Sequence, residues 1–203
     1  MDDGLASSSP AAAFGEVGDG SGRRPRADAV RNRARILRAT REVLSRDGLG
    51  AQIDEIAREA GVGTGTIYRN FPTRQALLEA VVADGVQQQT ERARALVDAD
   101  DPTGVLFGYL ADWIERSRQQ RAFTEMLMNA GIDVRAAKAG AMGDLQEALA
   151  ALLRRAQDAG GVRREVGVAE LMALVAATCS TAAQYGADAE LLSRVVCAGL
   201  RPD

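Results

Sequence analysis

The sequence predicts an all-α protein, and three observations carry that expectation. Ala, Leu, Arg and Glu abound while aromatic residues make up 4% and prolines number five, a balance that favours helix over sheet. Apolar residues recur at helical spacing from about residue 29 to the end. No strand-like alternation and no internal repeat competes with that period. At 203 residues with 46% apolar content, the chain can bury one medium core or two small units that share one.

Residues 1–26 are rich in Gly, Ser, Ala and Pro without a period and read as a disordered tail. The tail closes on Arg23, Arg24, Pro25 and Arg26, which fit either an arm following DNA phosphates or a solvated charge run. The first helix is expected from about Ala29. Ile36, Leu37, Thr40, Val43 and Leu44 form its apolar stripe, and Arg31, Arg33, Arg35, Arg38 and Arg41 cover the rest. Gly48 and Gly50 end it.

A short helix follows at about Ile53–Ala60, with Asp54 and Glu55 at the positive end of its dipole. Gly61 is the turn, and a third short helix is expected at about Thr64–Asn70. Phe71-Pro72 breaks the chain, because proline disfavours helix in the residue before it. Thr73 reads as the N-cap of a long helix reaching about Val97. Further helices are expected near 103–119, 122–130, 136–159, 168–185 and 187–200, with breaks at Gly131, Gly160-Gly161 and Tyr185-Gly186.

The net charge of −3 conceals a division. Residues 23–75 hold twelve arginines against six acidic residues, whereas both flanking stretches are acidic. A basic segment on an acidic remainder suggests an anionic partner for that segment. Arg-rich usage with a single lysine, Lys138, fits coding bias, but such bias does not concentrate positive charge in one quarter of the chain.

Histidine is absent, which removes the commonest general base and the commonest metal ligand. Cys179 and Cys197 lack metal-ligand spacing and sit in apolar helical stretches, as small hydrophobes do. No catalytic constellation, metal site or cofactor is therefore expected, and an enzyme is disfavoured. The first thirty residues carry no signal-like apolar run, and no uncharged apolar stretch is long enough to span a membrane. A cytoplasmic location is expected.

Function concentrates in residues 52–78, where two short helices joined by a turn at Gly61 make a helix-turn-helix pattern. Ile53, Ile56, Ala57, Val62, Ile67, Phe71, Leu77 and Leu78 read as its core. The leftover face presents Thr64, Thr66, Tyr68, Arg69 and Asn70, hydrogen-bonding groups with one cation, suited to base edges and phosphates in a major groove.

The run AGVGTGTIYRNFPTRQALL resembles the signature of the TetR family of transcriptional regulators over about residues 29–82. The resemblance implies a DNA-binding unit at 27–72 and a helical effector-binding and dimerisation unit at 73–203. It implies Thr64 and Arg69 as base readers. Thr66, Tyr68 and Asn70 would then lie at or near phosphates, with Arg74 holding one at the start of the fourth helix, and Gly65 belongs to the same DNA-binding set. Gly63 stands where the family usually has Ser, Gln52 where it often has Ser or Thr at a phosphate contact, and Asn70 where it often has His.

A head this small needs a partner, since a symmetric dimer meets two half-sites about 34 Å apart. Leu171, Met172, Leu174, Val175, Ala176, Cys179, Ala182 and Ala183, with Leu191, Leu192, Val195, Val196 and Leu200, read as a four-helix dimer interface or as internal core. Phe107, Leu110, Trp113, Met126, Met142 and Leu145 are candidates for an adaptable apolar pocket, or for plain core.

The expected function is a sequence-specific regulator, a repressor released from a palindromic DNA operator by an unidentified small molecule. Two alternatives stay open: an activator of the same fold, and a helical ligand-binding adaptor that has lost DNA recognition.

Overall fold

The computed structural model describes residues 23–181 and 185–202, and those residues form nine α-helices and no strand. The helices are α1 Arg23–Asp47, α2 Ile53–Ala60, α3 Thr64–Asn70, α4 Arg74–Leu96, α5 Pro102–Gln119, α6 Arg121–Asn129, α7 Val134–Asp158, α8 Val168–Thr181 and α9 Ala189–Gly199, with a 3-10 turn at Gly48–Gly50. The helix expected from Ala29 begins at Arg23, so the last four residues assigned to the tail are helical. Pro25 does not prevent this, because proline is tolerated in a first turn where its missing N–H has no partner to lose. The remaining tail residues, and Ala182 and Ala183, lie outside the described residues.

Side-chain caps set the helix starts. Thr73 Oγ1 accepts from Ala76 N at 3.0 Å, Asp101 Oδ1 from Gly104 N at 2.9 Å, Asp133 Oδ1 from Ala136 N at 2.9 Å and Asp188 Oδ1 from Glu190 N at 2.9 Å. Each bond satisfies an amide that the first turn leaves without a carbonyl. Gly61 ends α2 in the left-handed conformation at φ 63° and ψ 41°, and its N–H and that of Val62 return to carbonyls of α2. That geometry folds α3 back across α2, and a side chain there would be strained.

Two buried clusters organise the packing. The first joins α1, α2, α3 and the start of α4 through Ile36, Val43, Leu44, Ile56, Ile67, Phe71, Leu77 and Val81, and it also takes in Leu127 at the end of α6 and Ile132 beyond it. The second holds Leu106, Phe107, Leu110 and Ile114 of α5, Leu149, Leu152 and Leu153 of α7, and Leu171 and Val175 of α8. The α4–α7 pair is the most extensive helix contact. Helix α4 thus carries residues of the first cluster at its start and of the second, at Ala93, near its end.

Candidate nucleic-acid interface and interior cavity

The face of α3 is built by exclusion. Ile67 and Phe71 turn into the first cluster, which leaves Tyr68 51% exposed and Arg69 exposed beside it. Burying an aromatic normally removes a large apolar area from water, so a tyrosine left this open stabilises the fold little. Thr64, Thr66 and Asn70 are half-buried along the same helix, and Gly65 is exposed. Arg69 lies back on its own helix, donating from Nε to Gly65 O at 3.1 Å and from Nη2 to Thr66 Oγ1 at 3.2 Å. Asn70 Nδ2 donates to Thr66 O at 2.8 Å. Gly63 precedes the helix in an extended conformation with no side-chain cap.

Gln52 is exposed at the start of α2, where its backbone N–H donates to Glu55 Oε2 at 2.8 Å and its side chain to Gly50 O at 2.9 Å. The guanidinium of Arg74 donates to Leu49 O at 2.7 Å and Ala51 O at 2.8 Å, so it ties α4 to the turn before α2. Two carbonyls left behind by the 3-10 turn need donors, and the planar fork of an arginine reaches both.

Part of the positive charge of α1 is also structural. Arg33 lies 4.5 Å over the Phe71 ring, Arg35 reaches Gly61 O at 3.4 Å, Arg31 pairs with Asp28, and Arg46 pairs with Asp47 and Glu59.

Between the two clusters lies a partly open cavity of about 120 Å³. Helix α4 lines it with Val81, Val82, Gly85, Val86 and Gln89, α5 with Trp113 and Ser117, α6 with Phe123, Thr124 and Leu127, and α7 with Val134, Lys138, Met142 and Leu145. A groove of about 500 Å³ adjoins it, bounded further by Met128, Met172, Val175 and Cys179. Trp113, Met142 and Leu145 therefore stand where a pocket was expected. Phe107, Leu110 and Met126 do not. Phe107 and Leu110 are buried in the second cluster, with the Arg201 guanidinium 5.0 Å from the Phe107 ring, and Met126 packs on the first. The contribution of α4 was missed, although its run of Val81, Val82 and Val86 broken by Gly85 leaves room beside the helix.

Arg41 of α1 reaches the cavity wall, where its Nη2 donates to Asp84 Oδ2 at 3.0 Å and to Val81 O at 3.3 Å, and Gln88 Nε2 donates to the same carboxylate oxygen at 2.7 Å. Across the groove, burial pushes the Cys179 thiol above its ordinary range, against the opposing pull of a Ser117 hydrogen bond and the charge of Lys138. Cys197 is pushed up by burial as well. Both thiols therefore stay protonated and poorly nucleophilic at neutral pH.

The last two helices expose an apolar face. Leu174, Leu191 and Val195 are 40%, 50% and 60% exposed, with Ala173, Ala176, Ala177 and Ala198 around them. Leu171 and Val175, expected at an interface, are fully internal, and Met172, Cys179 and Val196 are half-buried against the same core. Leu192 is also half-buried, whereas Leu174, Leu191 and Val195 stand well out among the residues named for that face. Exposed apolar area of this kind, on a helix pair whose other side is already packed, suits association with another surface.

Among the described residues no group of His, Cys, Asp and Glu could hold a metal ion, and no helix is long and apolar enough to cross a membrane.

Residues 36–81 match the family described as bacterial regulatory proteins, tetR family, and residues 101–202 match the C-terminal domain described as transcriptional regulator SbtR-like. The chain is similar to a TetR transcription regulatory protein from Mycobacterium vanbaalenii, with 39% identity, 88% of this chain and 99% of that one covered, and a TM-score of 0.68. It is also similar to the TetR transcriptional regulator SCO0520 from Streptomyces coelicolor, at 33% identity, 84% and 98% coverage and a TM-score of 0.66. The fold alone is shared with the regulator FadR from Bacillus subtilis, solved in complex with stearoyl-CoA, at 18% identity, 81% and 95% coverage and a TM-score of 0.57.

Proposed function

The chain belongs to the TetR family of bacterial transcriptional regulators, and on that premise we propose that it is a homodimeric repressor whose operator grip is released when a small molecule fills the cavity between its two clusters. DNA-binding regulation is the activity of the family. The observation that carries the reading is the double role of α4. Its first turns join the buried cluster of the head through Leu77, Leu78 and Val81, packing chiefly on α1, and its middle turns form a cavity wall.

In this reading Arg69 and Thr64 meet the major groove, with Tyr68, Gly65, Thr66, Asn70 and Gln52 close to the backbone. Arg69 is positioned to exchange its weak bonds to Gly65 and Thr66 for a guanine edge, which it can meet bidentately. The exposed Leu174, Leu191 and Val195 face supports a second copy on α8 and α9, which spaces the two α3 helices for a two-fold site.

Release then requires a ligand that prefers the conformation with α3 misplaced. A hundredfold loss of operator affinity corresponds to about 2.7 kcal/mol of coupling. The structure of FadR with stearoyl-CoA supports a ligand within this fold. The test is selection of genomic fragments by the purified protein, repeated with Arg69→Ala and Tyr68→Ala. A palindromic site with steep salt dependence, weakened by both substitutions, is expected. No enrichment of any fragment at low salt overturns the reading and favours a ligand-binding adaptor.

A further inference from the structure

The inner cavity and its adjoining groove share six lining residues: Trp113, Ser117, Gln120, Thr124, Lys138 and Met142. Lys138 is the only lysine in a chain that otherwise meets every need for positive charge with arginine. Its side chain makes no hydrogen bond and no ion pair among the described residues. An ammonium is a compact point charge that can be served by one small anionic group, where a guanidinium spreads its donors over a plane.

The charges around it are already matched. No Asp or Glu lines the inner cavity. Arg41, the other cation there, is held by Asp84 at 3.0 Å. In the groove, Glu125 is taken by Arg121 at 2.6 Å. One positive charge is left, at the junction of an inner space walled by Val82, Val86, Phe123 and Leu145 with a groove opening outward. Lys138 is half-buried at that junction, where an opposite charge brought by a ligand gains more than it would in open water.

We propose that the molecule bound in this cavity is an amphipathic organic monoanion, a carboxylate on an apolar body, with its carboxylate on Lys138 and its body in the inner space. The proposal rests on the reading of this cavity as the effector site. Ser117, Gln120 and Thr124 border the same junction and supply the hydroxyl and amide donors that a carboxylate's remaining lone pairs need. A single unmatched cation favours one negative charge, since a phosphate dianion would leave charge uncompensated beside the apolar walls. The inner space, about 120 Å³, is of a size to take a phenyl ring or a short alkyl chain along its Val82, Val86, Phe123 and Leu145 side.

Trp113, the only tryptophan, borders both spaces and reports binding through its fluorescence. The experiment titrates the full-length protein at neutral pH with octanoate and 3-phenylpropanoate, with the alcohols of the same carbon skeletons, and with the corresponding amines. The same titrations are run on Lys138→Met and Lys138→Arg. The expected result is saturable binding of the carboxylates about tenfold tighter than that of the alcohols, with the amines weakest. Lys138→Met should erase the advantage of the carboxylates over the alcohols, and Lys138→Arg should retain most of it.

Alcohols binding as tightly as carboxylates to the unsubstituted protein would overturn the assignment of charge and leave the cavity standing as a site. An undiminished carboxylate preference in a folded Lys138→Met protein would do the same. Absence of any saturable Trp113 response across the whole panel would remove both the proposal and the cavity reading beneath it.

Discussion

The guanidinium of Arg41 on α1 lies 3.0 Å from the carboxylate of Asp84 on α4, with the two side chains 24% and 22% exposed. The pair bridges the first helix of the head to the helix that lines the cavity, and Gln88 donates to the same carboxylate oxygen. Because both groups are largely withdrawn from water, either one alone is left charged and poorly solvated. A double-mutant cycle of Arg41→Met and Asp84→Asn is expected to show a coupling of about 1 kcal/mol, above the typical value for an exposed pair. Denaturant unfolding of the four proteins measures it.

Arg69 and Arg74 are both close to α3, yet their substitution should read out differently. Arg74→Ala orphans the carbonyls of Leu49 and Ala51 and is expected to cost about 1–3 kcal/mol of stability. Arg69→Ala removes only exposed contacts and should stay within about 0.5 kcal/mol. On the proposed operator, Arg69→Ala should instead weaken binding by about 1–3 kcal/mol and relax specificity at one base pair. Thermal unfolding and fluorescence anisotropy on the same preparations separate the two effects.

Gly61 offers a test with little steric content. Nothing lies within 4 Å of a side-chain carbon added there, so the penalty for Gly61→Ala comes from holding φ at +63°. About 1–2 kcal/mol is expected, with Gly61→Asn less damaging because Asn tolerates the left-handed region better. For a chain of this size the alanine variant should melt roughly 2–4 °C lower per kcal/mol lost.

The apolar face of α8 and α9 predicts the behaviour of charge placed on it. Val195→Glu and Leu191→Glu should leave helix content unchanged, since both side chains stand at least half in water. Sedimentation equilibrium should nevertheless show monomers where the unsubstituted protein gives dimers. A dimer undisturbed by both changes would move the interface elsewhere.

Tyr109 gives a pH dependence. Burial pushes its phenol above its ordinary range, with the charge of Arg92 opposing, and its hydroxyl donates to Gln89 O at 3.2 Å. Its folded-state pKa is raised, so the stabilisation is complete below the unfolded pKa of about 10 and is lost as pH climbs beyond it. Melting temperature should therefore fall through the alkaline range, and Tyr109→Phe should flatten that fall.

The parts of the molecule legible from sequence are those written in local chemistry. Thr73 before a helical stripe and Gly61 after one state where chain direction changes, because the cap bond and the left-handed turn involve neighbours a few residues away. The same holds for α3, where burial of Ile67 and Phe71 leaves Tyr68 and Arg69 outside. Legibility ends where an answer depends on distant backbone. The bonding of Arg74 is decided by carbonyls 23 and 25 residues earlier in the chain. On α8 the inward Leu171 and Val175 and the outward Leu174 could not be told apart, since a helix apolar on all sides has no period to read. The cavity was misjudged for a related reason. Aromatic and Met content marks candidates, but empty space depends on how α4 and α7 lean together, and Phe107 and Leu110 fell on the filled side.

Leu127 belongs to the buried cluster of the head and to the wall of the cavity at once, as does Val81. Changing either to suit a new ligand would also disturb the seat of α3. Lys138 and Met142, on the opposite wall, belong to neither buried cluster. Drift in what this cavity accepts has a free side and a constrained side: Lys138 and Met142 can be retuned alone, whereas Val81, Leu127 and Val134 also pack in the cluster that seats α3.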